Sequence, residues 1–80
     1  MVKINVKKPE LKELMIKKGF NQAKLGREIG ITKSYVSQLV NGNTNPSPVL
    51  AKKITDKLNV NFDDIFFIES GSFSVNTKRN

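Results

Sequence analysis

Between Asn21 and Gly42 the chain carries two amphipathic segments of about eight residues, with only Gly30, Ile31 and Thr32 to join them. This spacing constrains the fold more than any other feature. Helices so short are marginal by themselves and must draw their stability from packing on a common core. Joined through so tight a turn, they form a helix-turn-helix. The punctuation agrees. Asn21 is an N-cap for a helix over Gln22 to Ile29, and Thr32 is an N-cap for one from Lys33 to about Val40. Gly30 ends the former in the left-handed conformation, and Asn41 with Gly42 ends the latter. Gly26, mid-helix, costs about 1 kcal/mol against alanine. A close approach by the following helix gives that small residue a reason.

The helix from Lys33 has two unlike faces. At about 100° per residue, Lys33, Ser37, Asn41, Ser34 and Gln38 fill one arc. Tyr35, Leu39, Val36 and Val40 fill the opposite one. The polar arc holds no Asp or Glu, whereas an ordinary solvent-facing arc mixes in acids. Lys, Ser, Asn and Gln are the side chains that hydrogen-bond base edges and phosphates. With Ile31, Val36 and Leu39 turned inward, the polar arc faces outward and fits a DNA major groove.

The flanking segments supply the rest of a small core. A first helix is predicted from about Pro9 to Lys18, with Leu11, Leu14, Met15 and the stem of Lys18 on one stripe and Gly19 as the stop. A fourth helix starts with Ser47 as N-cap and Pro48 at its first position, and its stripe is Leu50, Ala51, Ile54 and Leu58. A short fifth helix spans about Phe62 to Ile65, capped by Asn61, with Asp63 and Asp64 on its N-terminal dipole. Val2, Ile4 and Val6 alternate with polar residues as in a strand. Phe66 to Val75 reads as two short strands around Ser70 and Gly71, and the N-terminal strand is a natural partner for them. Phe66, Phe67, Phe73 and Val75 are left open between core and interface. The fold class is all-α, five short helices with a minor β element from the two ends, in one domain over residues 1–80. The stretch from Asn41 to Pro48 is an ordered loop, too short to divide domains.

Charge narrows the partners. Residues 1–60 hold twelve Lys and Arg against four Asp and Glu, a net +8, while residues 61–80 are net −1. An excess so placed attracts an acidic partner, nucleic acid or an anionic surface, through the first three quarters of the chain. There is no Cys and no His, which excludes disulfides, zinc sites and catalytic triads built on those residues. Asp63 and Asp64 read as a helix start rather than a catalytic pair. No catalytic residue, metal site or cofactor is expected. The longest fully apolar run is Ile65 to Ile68, far too short to span a bilayer. The first eight residues lack a secretory h-region, so a cytoplasmic location is expected.

Residues 9–66 resemble the phage-repressor type of helix-turn-helix protein, the lambda repressor-like or XRE family. The likeness is carried by Gln22 opening the second helix, Leu25 with small Gly26, Gly30-Ile31 at the turn, apolar 36 and 39, Asn41-Gly42 after the third helix, and Asn45 to Pro48 before the fourth. It implies that Lys33, Ser34, Ser37 and Gln38 contact bases. It also implies that Gln22, Thr32, Asn41, Asn43, Thr44 and Asn45 hold phosphates, through side chains and backbone N–H groups. Lys33 suits guanine and Gln38 suits adenine. Two positions depart from the family pattern: Val40 stands where many members carry an acid, and Gly26 where many carry alanine.

The resemblance implies a sequence-specific double-stranded DNA-binding regulator, a repressor from a phage, mobile element or bacterium, acting as a homodimer. The competing expectation is an antitoxin or other protein-interaction module that neutralises a partner protein through its C-terminal extension, residues 67–80, and autoregulates. An enzyme comes a distant third, since no spacing among the remaining reactive residues suggests a site.

Overall fold

A computed structural model describes residues 2–70. In chain order the elements are strand β1 (Val2–Val6), helices α1 (Lys8–Lys18), α2 (Gln22–Ile29), α3 (Lys33–Val40), α4 (Pro48–Leu58) and α5 (Phe62–Ile65), and strand β2 (Phe66–Ser70). The five helices and the small sheet are those expected from the sequence.

Local chemistry sets most of the boundaries. The side-chain oxygens of Asn21, Thr32 and Ser47 accept from the backbone N–H groups of Lys24, Tyr35 and Leu50 at 2.8, 3.0 and 3.1 Å, each satisfying an otherwise orphaned helix donor. At α5 the Asp64 carboxylate accepts from the Asn61 N–H at 2.9 Å. Gly19 and Gly30 stand at φ 75° and 81°, the left-handed geometry that lets α1 and α2 stop abruptly. Helix α4 ends on Asn59 at φ 59°, the side chain that best tolerates that region after glycine. Helix α1 begins at Lys8, one residue before the expected Pro9, because a proline is accommodated anywhere in the unbonded first turn. The Lys18 stem, expected on the buried stripe, is exposed.

The core gathers one face from every element. Leu11, Leu25, Val36, Leu39, Ile54, Leu58, Ile65 and Phe66 are all less than 2% exposed. The sheet closes one side. Strands β1 and β2 pair antiparallel with Ile4 opposite Ile68 and Val6 opposite Phe66, and the Lys7 N–H donates to the Ile65 carbonyl at 2.8 Å just past the sheet. Phe66 is therefore core, while Phe67, on the other face opposite Asn5, is 46% exposed. The expected turn at Ser70 and Gly71, its second strand, and Phe73 and Val75 lie outside the described residues.

Candidate nucleic-acid interface

The presentation of α3 is decided at Gly26. A Cβ built there would sit 2.7 Å from the Ile31 carbonyl oxygen and 3.3 Å from Val36 Cγ2, so no larger residue fits without moving the turn. The same site ties the turn down. The Gly30 and Ile31 N–H groups both donate to the Gly26 carbonyl, at 2.8 and 2.9 Å. The predicted close approach is thus made chiefly by the turn backbone and only secondarily by α3. Together these contacts fix the angle at which α3 leaves α2.

Held this way, α3 buries Val36, Leu39 and Val40 and leaves Lys33, Ser34, Gln38 and Asn41 exposed. Ser37 and Tyr35 lie half-buried at the margins, and Tyr35 packs against the core. Lys33, Ser34, Ser37 and Gln38 are therefore on one continuous surface. Thr32 stands at the head of α3 with its hydroxyl oxygen accepting from Tyr35; its hydrogen remains to be donated. No acidic residue occurs in either α3 or the loop that follows it, residues 41–47.

Beside the C-terminal turn of α3 runs a groove lined by Lys12, Met15, Ile16, Phe20, Gln22 and Asn41. It brings Gln22, at the start of α2, to the same side as Asn41, although they are nineteen positions apart in the chain. Its floor is apolar because Met15 and Val40 are buried, 5% and 3% exposed. Val40, which departs from the family pattern, has thus been absorbed into the core. Lys24 lies over the Phe20 ring, 4.7 Å from its centroid, an arrangement that holds the ammonium near the start of α2.

The loop after α3 divides the expected phosphate ligands. The N–H groups of Asn41, Gly42 and Asn43 donate back to the carbonyls of Ser37, Leu39 and Gln38, so Asn41 and Asn43 have only their exposed side chains to offer. Thr44 is half-buried. Asn45 has its side chain engaged within the chain. Its side-chain amide donates to the Ile4 carbonyl at 2.8 Å and to Asn5 Oδ1 at 3.1 Å. Both amide hydrogens are consumed, and the remaining oxygen cannot accept from a phosphate diester. Only the Asn45 backbone N–H is left for that role. The side chain instead clips the loop to β1.

Among the described residues no helix is long and apolar enough to cross a membrane, and no cluster of three acidic residues is placed to hold a metal ion.

Comparison with known proteins agrees with this geometry. Residues 11–65 match the helix-turn-helix family profile. The chain is 36% identical over 62 residues to the uncharacterized HTH-type transcriptional regulator YgzD of Bacillus subtilis (strain 168), covering 78% of this chain and 94% of that protein. It is also 36% identical over 59 residues to a second such regulator of that organism, YqaF, covering 74% and 75%. Among solved structures it is similar to the restriction-modification controller protein C.AhdI of Aeromonas hydrophila, with 31% identity and a TM-score of 0.63 over 69% of this chain and 80% of that one. The transcriptional regulator VanUg superposes with a TM-score of 0.65 at 25% identity, over 84% and 88%.

Proposed function

The chain belongs to the helix-turn-helix family of phage-repressor type and is a DNA-binding transcriptional regulator, and from that premise we propose that it is a repressor that reads the major groove with α3. The observation that carries this reading is the outward arc of α3: polar, free of acids, and set at a fixed angle by the contacts at Gly26. Lys33, Ser34, Ser37 and Gln38 contact base edges. Gln22, Thr32, Asn41, Asn43 and Thr44 hold phosphates on either side, and Asn45 adds at most its backbone N–H. The whole chain, residues 1–80, acts as one domain in the cytoplasm. It needs no cofactor and catalyses no reaction. It binds as a homodimer to half-sites about one helical turn apart.

A binding selection from random duplexes tests the assignment. The unaltered chain selects a site with two-fold symmetry, and Lys33→Ala and Gln38→Ala each lose preference at one position per half-site. The discrimination lost is about 1–3 kcal/mol for each bidentate contact. Unchanged preference in both variants would remove these two residues from the base-reading set.

The exposure of Phe67 and Ile68, 46% and 59%, favours a second reading, in which the C-terminal segment from residue 67 engages a protein partner such as a toxin. A neighbouring gene whose product co-purifies through that segment supports it. Full solubility and dimeric DNA binding after removal of residues 71–80, with Phe67 and Ile68 replaced by Ser, count against it.

A further inference from the structure

Thr44 and Asn45 are the most loosely tied part of the loop after α3. The last backbone anchor on the α3 side is the Asn43 N–H, which donates to the Gln38 carbonyl at 2.8 Å. Among the described residues no backbone hydrogen bond holds Thr44 or Asn45. Pro46, which is buried, pins the chain just beyond them. The direction of the Thr44 side chain and of the Asn45 N–H is thus left to the Asn45 side chain.

That side chain is gripped at two points of β1. The first is the Ile4 carbonyl. The bond from the Lys7 N–H to the Ile65 carbonyl sets the hydrogen-bonded rungs of the sheet on alternate pairs, Asn5 with Phe67 and Lys3 with Glu69. Ile4 therefore turns its carbonyl to the outer edge of β1, where Asn45 Nδ2 donates to it at 2.8 Å. One such bond alone lets the amide pivot. The second, from Asn45 Nδ2 to Asn5 Oδ1 at 3.1 Å, stops the rotation.

Asn5 serves in this way in one orientation only. Its amide has a donor end and an acceptor end, and turned over it would set its NH2 against the NH2 of Asn45. Glu69 prevents this. It shares a face of the sheet with Asn5, on the diagonal between two rungs, and its Oε1 accepts from Asn5 Nδ2 at 2.6 Å. A carboxylate only accepts, so Glu69 takes the NH2 end of Asn5 and leaves the oxygen for Asn45. Lys3 Nζ stands 3.9 Å from the same Oε1, an exposed contact that adds little.

We propose that Asn5 and Glu69 are positioning residues for DNA binding. Glu69 orients the Asn5 amide, Asn5 orients the Asn45 amide, and Asn45 presents the loop after α3 to the DNA backbone. The inference rests on the DNA-binding reading above and extends it to two residues of the terminal sheet, neither of which has to touch DNA to act.

The test measures the affinity of the full chain for a duplex carrying its selected site, with a urea titration of each variant to correct for the folded fraction. Asn5→Ala should weaken binding about fivefold, the equivalent of one net hydrogen bond. Glu69→Ala should weaken it by about two- to fivefold, although by charge alone the removal of an acid from a DNA-binding protein tightens binding. Glu69→Gln should recover what Glu69→Ala loses, since its amide oxygen still accepts from Asn5. The losses should not add: in an Asn45→Ala background neither Asn5→Ala nor Glu69→Ala weakens binding further. Unchanged binding in Asn5→Ala, tighter binding in Glu69→Ala, or losses that add to that of Asn45→Ala would each overturn the positioning chain while leaving DNA binding standing. Failure of the unaltered chain to bind any selected duplex overturns both.

Discussion

Phe66 is where the terminal sheet meets the helical core, and its replacement by alanine tests whether the two are one cooperative unit. The residue is fully buried. Its ring lies 5.3 Å from that of Phe62, tilted by 37°, and it stands opposite Val6 across the sheet. Truncating a buried phenylalanine costs about 3–5 kcal/mol, from lost transfer energy and the cavity left behind. At about 0.05–0.15 kcal/mol per residue, a chain of this length has about 4–12 kcal/mol in total. Phe66→Ala should therefore remove a quarter of the stability at the very least, and unfold the protein at the low end of that range. Phe66→Leu keeps most of the volume and should cost about 1–1.5 kcal/mol, lowering Tm by roughly 4–12 °C. Phe67→Ala, one residue on but on the exposed face, should stay within about 0.5 kcal/mol. Urea titration followed by the helical circular dichroism signal measures all three. If Phe66→Ala loses less than about 1 kcal/mol at an unchanged m-value, the sheet is an appendage and the packing account given above is wrong.

Other consequences can be checked in the same way. Gly26→Val drives a branched side chain into the Ile31 carbonyl and should cost at least about 2 kcal/mol, with a larger loss of DNA affinity than of stability-corrected folded fraction, because the turn that aims α3 must move; an unaltered affinity in the folded variant would show that the angle is set elsewhere. Asn45→Ala strips a partner from the Ile4 carbonyl and should cost about 1–2 kcal/mol, yet leave the salt slope of DNA binding unchanged, whereas a slope reduced by about 0.9 would return its side chain to the phosphate ligands. The loss of single-position base preference in Lys33→Ala and Gln38→Ala completes the set.

Much of the fold was legible because short-range chemistry decides it. The caps at Asn21, Thr32 and Ser47 and the stops at Gly19 and Gly30 depend on residues within one turn of each other, so reading the chain locally finds them. The two faces of α3 were legible for the same reason, as periodicity alone separates them. What was hidden depends on distant approach. The run from Ile65 to Phe67 is apolar without alternation, so nothing local distinguishes the buried Phe66 from the exposed Phe67; the register with β1, sixty residues away, does so. Asn45 looks like any loop asparagine until β1 arrives to take its amide. Gly26 was visible as an anomaly, but its nearest neighbour proved to be the carbonyl of the turn. Lys8 was indistinguishable from a solvated lysine until Gly42 was seen beneath its stem.

The pairing of Val2 with Ser70 has a mechanical consequence. It brings the two ends of the described chain side by side, so a pull exerted through both ends loads the strand ladder one rung at a time, as a zipper is opened, rather than shearing all rungs together. Unzipping yields at low force and proceeds from the outer pair toward Val6 and Phe66, reaching the clip at Asn45 on the way. The sheet is thus a sacrificial joint in this molecule. Whatever is fused or tethered at its ends strains the sheet before it strains the helix-turn-helix.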